Sequence, residues 1–344
     1  MPAEWAPQSA VMLTWPHSGT DWSGVLDQVE PVFHSIARAV LRYEHLLVSC
    51  EDPARVKQLE HGLNSYAADE GLPGRALVVA TPADDTWARD HGPIAVSGSE
   101  GQQLLDFRFN AWGGKFPFGK DDALNKALAQ KGCFGDTPLV PVNFVLEGGS
   151  LESDGAGTLL TTSECMLTPT RNPSFDRTGI EQMLGELLGV RRVLWLNHGY
   201  LAGDDTDSHI DTLARFCAVD HICYVRCDQP EDEHYGALAA MEEELHQFQQ
   251  ENGAPYRLTA LPWPDAVYGE DGERLPATYA NFLIINHAVL LPVYDVPQDA
   301  EAIRILGEIF PDREIIPIQC RPLVAQHGSL HCVTMQLPAG VIQP

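Results

Sequence analysis

Five residues stand out because each sets a titratable side chain in or beside an apolar stretch. They are Asp90 in TWARDHGP, Glu147 in VLEGGS, His209 and Asp211 in TDSHIDTL, and Cys332 in GSLHCVT. A thiolate is a strong nucleophile, an imidazole moves protons near neutral pH, and carboxylates can orient both. Each residue also has a plainer reading. A single cysteine in an apolar strand is commonly a small buried hydrophobe. His209 and Asp211, two apart on a strand, would share one face as a proton-transfer pair, a metal pair or a structural hydrogen bond. Asp90 could be a turn residue tied to Arg89, whereas Glu147, between VNFVL and Gly148-Gly149, is costly to bury unless paired.

Taken together, these residue types suit a guanidinium. That group stays protonated at neutral pH, with a pKa above about 12, and presents a planar fork of N–H donors that carboxylates match in pairs. Asp90 and Asp211 would grip its two edges and leave the central carbon open to Cys332. Surrounded by carboxylates, Cys332 should be a thiol in the empty site, and a bound cation would reverse that. His209, oriented by Glu147, would protonate the departing ammonia and then deprotonate the attacking water.

Such residues must be brought together by the elements around them. A pattern of strand, strand, helix, strand recurs along the chain. One copy opens at His209, with HIDTLARFCAVD and HICYVRC as strands, a helix from DEHYG to a stop at Asn252-Gly253, and YRLTALPW as the closing strand. The next runs ANFLIINHA, VLLPVYD, a helix near Pro297, then EIIPIQC. An earlier copy runs NFVLEGGSLES, GTLLTTSEC, a helix near DRTGIEQMLGELLG, then RRVLWLN; a looser one starts at WARDHGPIAV and includes a helix at DDALNKALAQKG. The N-terminal part departs from the pattern, with helices at 25–43 and 53–69. In the first of these Val29, Val32, Phe33, Ile36 and Val40 fall on one face. About five units of some 50–70 residues suggest radial or stacked repetition. Steps of 57, 62 and 123 residues separate Asp90, Glu147, His209 and Cys332, the last being about two units. Placed around an axis, the four would converge.

The bulk composition narrows the class. With 344 residues, 44% of them apolar, the chain can bury a substantial core. A net charge of −26 repels phosphate backbones and anionic lipid and attracts cations, so a small cationic partner is expected and nucleic acid or membrane is not. Eight cysteines without a C-x-x-C pair suit a reducing compartment. The opening residues show no basic region leading into a long apolar run, and no stretch reaches the roughly 18 charge-free apolar residues of a membrane helix. A cytoplasmic location is the expectation.

The stretches EWAPQSAVMLTWPH, TWARDHGPI, FRFNAWGGK, LEGGSLESDGAGTLLTT, DDTDSHIDTLARF and GSLHCVTMQLP, spread from residue 4 to residue 338, resemble the agmatine deiminases of the pentein, or guanidino-group-modifying, superfamily. That resemblance implies an α/β fold, a five-bladed propeller of ββαβ modules with pseudo-fivefold symmetry, formed by one domain over residues 1–344. It implies hydrolysis of agmatine to N-carbamoylputrescine, a step toward putrescine and polyamines, through an amidino-thioether on Cys332 and with no metal or other cofactor. By motif, Cys332 matches the nucleophile, His209 the general acid/base, Glu147 its partner, Asp90 and Asp211 the guanidinium clamps, and Trp87 and Trp112 aromatic positions near substrate. Relatives of this type are often homodimeric. Asp205, with Asp204 and Asp207, is a candidate for attracting a distal ammonium, its plainer reading being a solvated loop. Two departures bear on the substrate. Family members often read G-G-G-N-I-H-C where this chain has Gln326-His327-Gly328-Ser329-Leu330-His331-Cys332, which could narrow the mouth of the site, and commonly have Gly where Ser208 stands. A deiminase of peptidyl-arginine, a non-catalytic pentein-fold binding protein and a metal hydrolase using His209, Asp211 and His331 are the alternatives.

Overall fold

Local sequence decides the elements in ways that can be followed individually. The helix Leu26–Leu41 buries Val29, Val32, Phe33, Ile36 and Val40, as their spacing requires. The helix Arg177–Leu188 starts where the Asp176 side chain accepts the N–H of Gly179 and stops at Gly189, whose φ of +70° only glycine adopts without strain. Middle strands such as TLLTT and HICYV are buried throughout, the pattern of strands covered on both faces.

The computed structural model describes residues 1–99 and 101–342. It is a mixed α/β architecture of five separate sheets. The strands are β1 (Gln8–Thr14), β2 (His45–Cys50), β3 (Ala76–Ala80), β4 (Ile94–Gly98), β5 (Gly101–Arg108), β6 (Leu139–Val145), β7 (Glu152–Ser153) and β8 (Thr158–Thr162). They continue with β9 (Arg192–Leu196), β10 (Ala214–Ala218), β11 (His221–Val225), β12 (Arg257–Leu261), β13 (Leu283–Ile285), β14 (Ala288–Val293), β15 (Glu314–Gln319) and β16 (Thr334–Pro338). Four sheets, β4-β5-β6, β7-β8-β9, β10-β11-β12 and β13-β14-β15, share one plan. Their first strand runs antiparallel to the second, which pairs in parallel with the third across an intervening helix. In the remaining sheet, β16-β1-β2-β3, the first strand comes from the C-terminal end: Leu13 of β1 pairs with Thr334 of β16 on one side and Val48 of β2 on the other. The N-terminal departure seen in the sequence is therefore this sheet's extra helix and strand. Among the described residues no helix is long and apolar enough to cross a membrane.

Several expected boundaries differ. His209 and Asp211 do not alternate along a strand: Ile210–Thr212 is a 3₁₀ turn, and β10 begins at Ala214. Thr212 Oγ1 donates to the His209 carbonyl at 2.8 Å and holds that turn closed. Asn143, Phe144 and Val145 end β6 rather than opening the next unit, whose first strand is only Glu152–Ser153. Asp90 lies in the short helix Ala88–His91 ahead of β4, and Cys332 lies just before β16. The helix expected to end at Asn252-Gly253 spans Tyr235–Gln247, because Phe248 turns extended and the Asn252-Gly253 pair forms a tight turn bridging Gln249 and Pro255. Helices also form at Leu124–Gln130 and Asp299–Ile309, near their expected places.

β16 ties the two ends of the chain together, and Leu337 within it is fully buried opposite Ala10. Leu337→Ala should cost about 2–5 kcal/mol, the range for an emptied aliphatic site, and shift the urea midpoint accordingly. An unchanged midpoint would mean that this strand does not secure the sheet.

Candidate active site

Each sheet of the common plan, and the closing sheet through β16, is entered by a short turn, and those turns meet. The helix Ala88–His91 presents Asp90 before β4, the 3₁₀ turn Gly148–Ser150 follows Glu147 before β7, and His209 opens the turn before β10. Asn281 precedes β13 and Cys332 precedes β16. Asn281 is the residue missed in the sequence. It divides the long step of 123 into 72 (281 − 209) and 51 (332 − 281), so an unfilled place in the spacing was the available signal.

The pairing of Asp90 with His209 sets the geometry. Asp90 Oδ1 lies 3.6 Å from His209 Nδ1 and accepts the Gly149 N–H at 3.0 Å. Asp90 Oδ2 accepts from Trp112 Nε1 at 3.1 Å. Behind the imidazole, Glu147 Oε2 stands 3.9 Å from His209 Nε2 and 3.9 Å from Cys165 Sγ, while Glu147 Oε1 takes the Arg171 Nε–H at 2.8 Å. Gly148 and Gly149 are there for close approach. A Cβ on Gly149 would sit 2.5 Å from His209 Nδ1, and one on Gly148 would sit 2.2 Å from the Arg89 carbonyl.

Cys332 Sγ lies 3.3 Å from Asn281 Nδ2, whose amide is oriented because its Oδ1 accepts the His331 N–H at 2.8 Å. Burial, then the charges of Asp211 and Asp90, push the Cys332 thiol well above its ordinary value, so it is protonated at neutral pH. Burial raises Asp90 to about 6 although His209 opposes this. Burial works against a charged imidazole in His209, but the Asp90 charge and contacts with Cys165 and Glu147 prevail and hold it well above the ordinary range. Burial pushes Asp211 up, yet its bond to His331 and the nearby positive charges leave it lowered. Asp211 Oδ2 meets His331 Nδ1 at 2.7 Å, whereas Asp211 Oδ1 is buried without a partner.

A cavity of about 190 Å³ opens onto Cys332, His209 and Asp90, with Trp87 and Trp112 in its walls. Trp87 and Trp112 meet edge to face, with ring centroids 6.3 Å apart. Asp205, Gln326 and His327 line the same cavity, and so do Asp21, Asp85 and Asp204, but among the described residues no lysine or arginine does. Glu147 and Asp211 are buried and are not among its lining residues, but Asp211 is close enough for its charge to act on the Cys332 thiol. Burial and the neighbouring Asp204 raise Asp205 to about 6. Lys115 contacts the Asp205 backbone carbonyl and the Asp207 carboxylate, not the Asp205 carboxylate.

Each departure from the family pattern includes a residue on left-handed backbone. Ser208 has φ +63° and His327 φ +66°, which explains why glycine is common at such places. Hydrogen bonds offset the strain: Ser208 N–H to Asp204 Oδ2 at 2.7 Å, and His327 Nδ1 with the Gly203 carbonyl at 2.8 Å. Gly328 has no latitude, since a Cβ there would lie 2.1 Å from the Trp87 ring. The grouping of His209, Asp211 and His331 considered for a metal does not assemble, because both His331 nitrogens face carboxylates, Asp211 on one side and Glu4 on the other. The side chains close enough to share an ion, among the described residues, are Glu147, Cys165 and His209.

Comparison with known proteins sets this geometry in context. Residues 1–338 match the family model of the Porphyromonas-type peptidyl-arginine deiminases. The agmatine deiminase of Stutzerimonas stutzeri (strain A1501) is 33% identical, the match covering 100% of this chain and 96% of that one. The solved structure of a candidate arginine deiminase from Porphyromonas gingivalis is 52% identical with a TM-score of 0.92, covering 100% of this chain and 99% of the other. A cysteine-to-serine variant of the C. jejuni agmatine deiminase, solved with substrate bound, is 34% identical with a TM-score of 0.89, covering 99% and 96%.

Gly149→Ala tests the central pairing. The added methyl has to separate Asp90 from His209, so the His209 imidazole, followed by NMR titration, should fall toward the ordinary value of about 6.5. A titration identical to that of the unaltered protein would show that the Asp90 contact does not hold the proton.

Proposed function

Since this chain belongs to the Porphyromonas-type peptidyl-arginine deiminase family and is a hydrolytic deiminase, we propose that it converts agmatine and water to N-carbamoylputrescine and ammonia. The observation that carries this reading is one cavity joining a thiol, a proton-bearing imidazole and Asp90, lined, among the described residues, by five aspartates and no lysine or arginine. Agmatine carries a cation at each end. Free arginine would bring its carboxylate among those aspartates with no cation to meet it.

In this reading the substrate creates its own nucleophile. Asp90 takes one edge of the guanidinium and the unpartnered Asp211 Oδ1 takes the other. The added positive charge draws the Cys332 proton off to solvent. The thiolate attacks the central carbon, and His209 gives its proton to the departing nitrogen, releasing ammonia and leaving an S-amidino-thioether on Cys332. Water then attacks that carbon while His209 takes back a proton. The C–S bond breaks, which restores the thiolate and frees the ureido product. Glu147 keeps the imidazole oriented, and Trp87 and Trp112 offer ring faces to the cationic substrate. Asp205 is assigned to the distal ammonium.

The mouth argues for a small free guanidine over a polypeptide. Gln326 Nε2 donates to the Asp21 carbonyl at 3.3 Å, and His327 is tied to Gly203, so the Cys332 loop is stitched to both sides of the entrance. For the whole, we propose a single pentein domain over residues 1–344, its five sheets set as the blades of a propeller. Eight unpaired cysteines support a reducing, cytoplasmic setting, in which the product would feed putrescine formation.

Ammonia release should be measured with agmatine, arginine and an arginine peptide in parallel, with Cys332→Ala as control. Turnover is expected with agmatine, falling at least about a hundredfold in the variant. Turnover of arginine or the peptide with none of agmatine would sink the substrate assignment, and a near-normal variant would sink the mechanism.

A further inference from the structure

We propose that Glu4, in the EWAPQ stretch at the start of the chain, is a positioning residue that fixes the guanidinium clamp Asp211 through His331. The inference rests on the reading that Asp211 grips the guanidinium. The three side chains form a buried line: Asp211 Oδ2 to His331 Nδ1 at 2.7 Å, then His331 Nε2 to Glu4 Oε2 at 2.7 Å. None of the three residues is more than 6% exposed. Both ring nitrogens face carboxylate oxygens at 2.7 Å, an arrangement that asks each to carry a proton, and Arg215 Nη2 lies 3.2 Å from Nε2 and 3.0 Å from the same Glu4 oxygen.

Glu4 is held with equal care. Its Oε2 also meets Arg215 Nη2 at 3.0 Å and Arg89 Nη2 at 3.7 Å, and its Oε1 accepts the Ile284 N–H at 2.7 Å. Arg215 in turn binds Glu152 at 2.7 Å. The line therefore ends on a point that cannot move without disturbing β13 and two buried arginines. Its consequence lies at the other end. With Oδ2 engaged by His331, Asp211 cannot rotate, and Oδ1 is the oxygen left for a ligand.

Glu4→Gln separates charge from shape. The amide oxygen can keep the Ile284 bond, which turns the amide N–H groups toward His331 Nε2. The ring must then accept there, so it keeps only the Nδ1 proton and becomes neutral. Asp211 retains a hydrogen bond but loses the positive charge behind it. The KM for agmatine should rise about tenfold, as expected when a charge-assisted bond becomes a neutral one, with kcat within about threefold. Glu4→Asp, which keeps the charge, should lie closer to the unaltered enzyme. A folded Glu4→Gln enzyme with unchanged KM would overturn the proposal.

If Glu4→Gln does not fold, NMR of the unaltered protein decides. Two slowly exchanging imidazole protons on His331 are expected, and one alone would overturn the proposal. If agmatine is not turned over while arginine is, the same comparison is made with arginine. Failure of the agmatine assignment thus shows in the unaltered enzyme, and failure of the positioning role shows only in the variants and the His331 signals.

Discussion

A carboxylate removed from water is tolerated only when its charge is matched, and this requirement governs the centre of the molecule. Glu4, Asp90, Glu147, Glu152 and Asp211 are all buried there. Opposite them stand Arg89, Arg171, Arg215, His209 and His331, also buried. Nearly every oxygen of the five acids has a donor or a cation beside it. Asp211 Oδ1 has none. Buried ion pairs of this kind are poor stabilisers compared with apolar packing, so their concentration beside a thiol points to chemistry rather than to folding. In the proposed mechanism a cation entering the cavity upsets the balance by one positive charge, and ionisation of the Cys332 thiol restores it.

The same requirement accounts for local features that look irregular. Strands cannot bring side chains from five sheets within hydrogen-bond reach, so the chain enters the sheets through 3₁₀ turns and one short helix. Gly148 and Gly149 let the Arg89 carbonyl and the Asp90–His209 pair come close. Trp112 accepts a φ of +54° and so reaches Asp90 Oδ2. Arg171 joins Glu147 to the Thr206 carbonyl and to Asp207, which couples the Glu147–His209 pair to the loop carrying Asp205.

Much of this was legible in the sequence. The spacing of Asp90, Glu147, His209 and Cys332 reflected one repeated position, and amphipathic periodicity located the helices. The strand reading of His209-x-Asp211 was not correct, because period-2 logic applies only once a strand exists and the Thr212 hydroxyl closes a turn there instead. Asn281 went unnoticed since an amide draws no attention as a titratable group. Glu4 and His331 could not be paired from the chain alone: they are 327 residues apart, and only the closure of β16 on β1 brings them together. The left-handed backbone at Ser208 and His327 was visible only as a departure from family pattern.

The central claim is that Cys332 bonds covalently to the guanidinium carbon while that group is held between buried carboxylates. Acid quenching of the enzyme during turnover of agmatine, followed by mass spectrometry of the peptide containing Cys332, tests it directly. The account predicts a fraction of that peptide heavier by agmatine less ammonia, disappearing once substrate is exhausted. Steady turnover with Cys332 unmodified at every time point would contradict it.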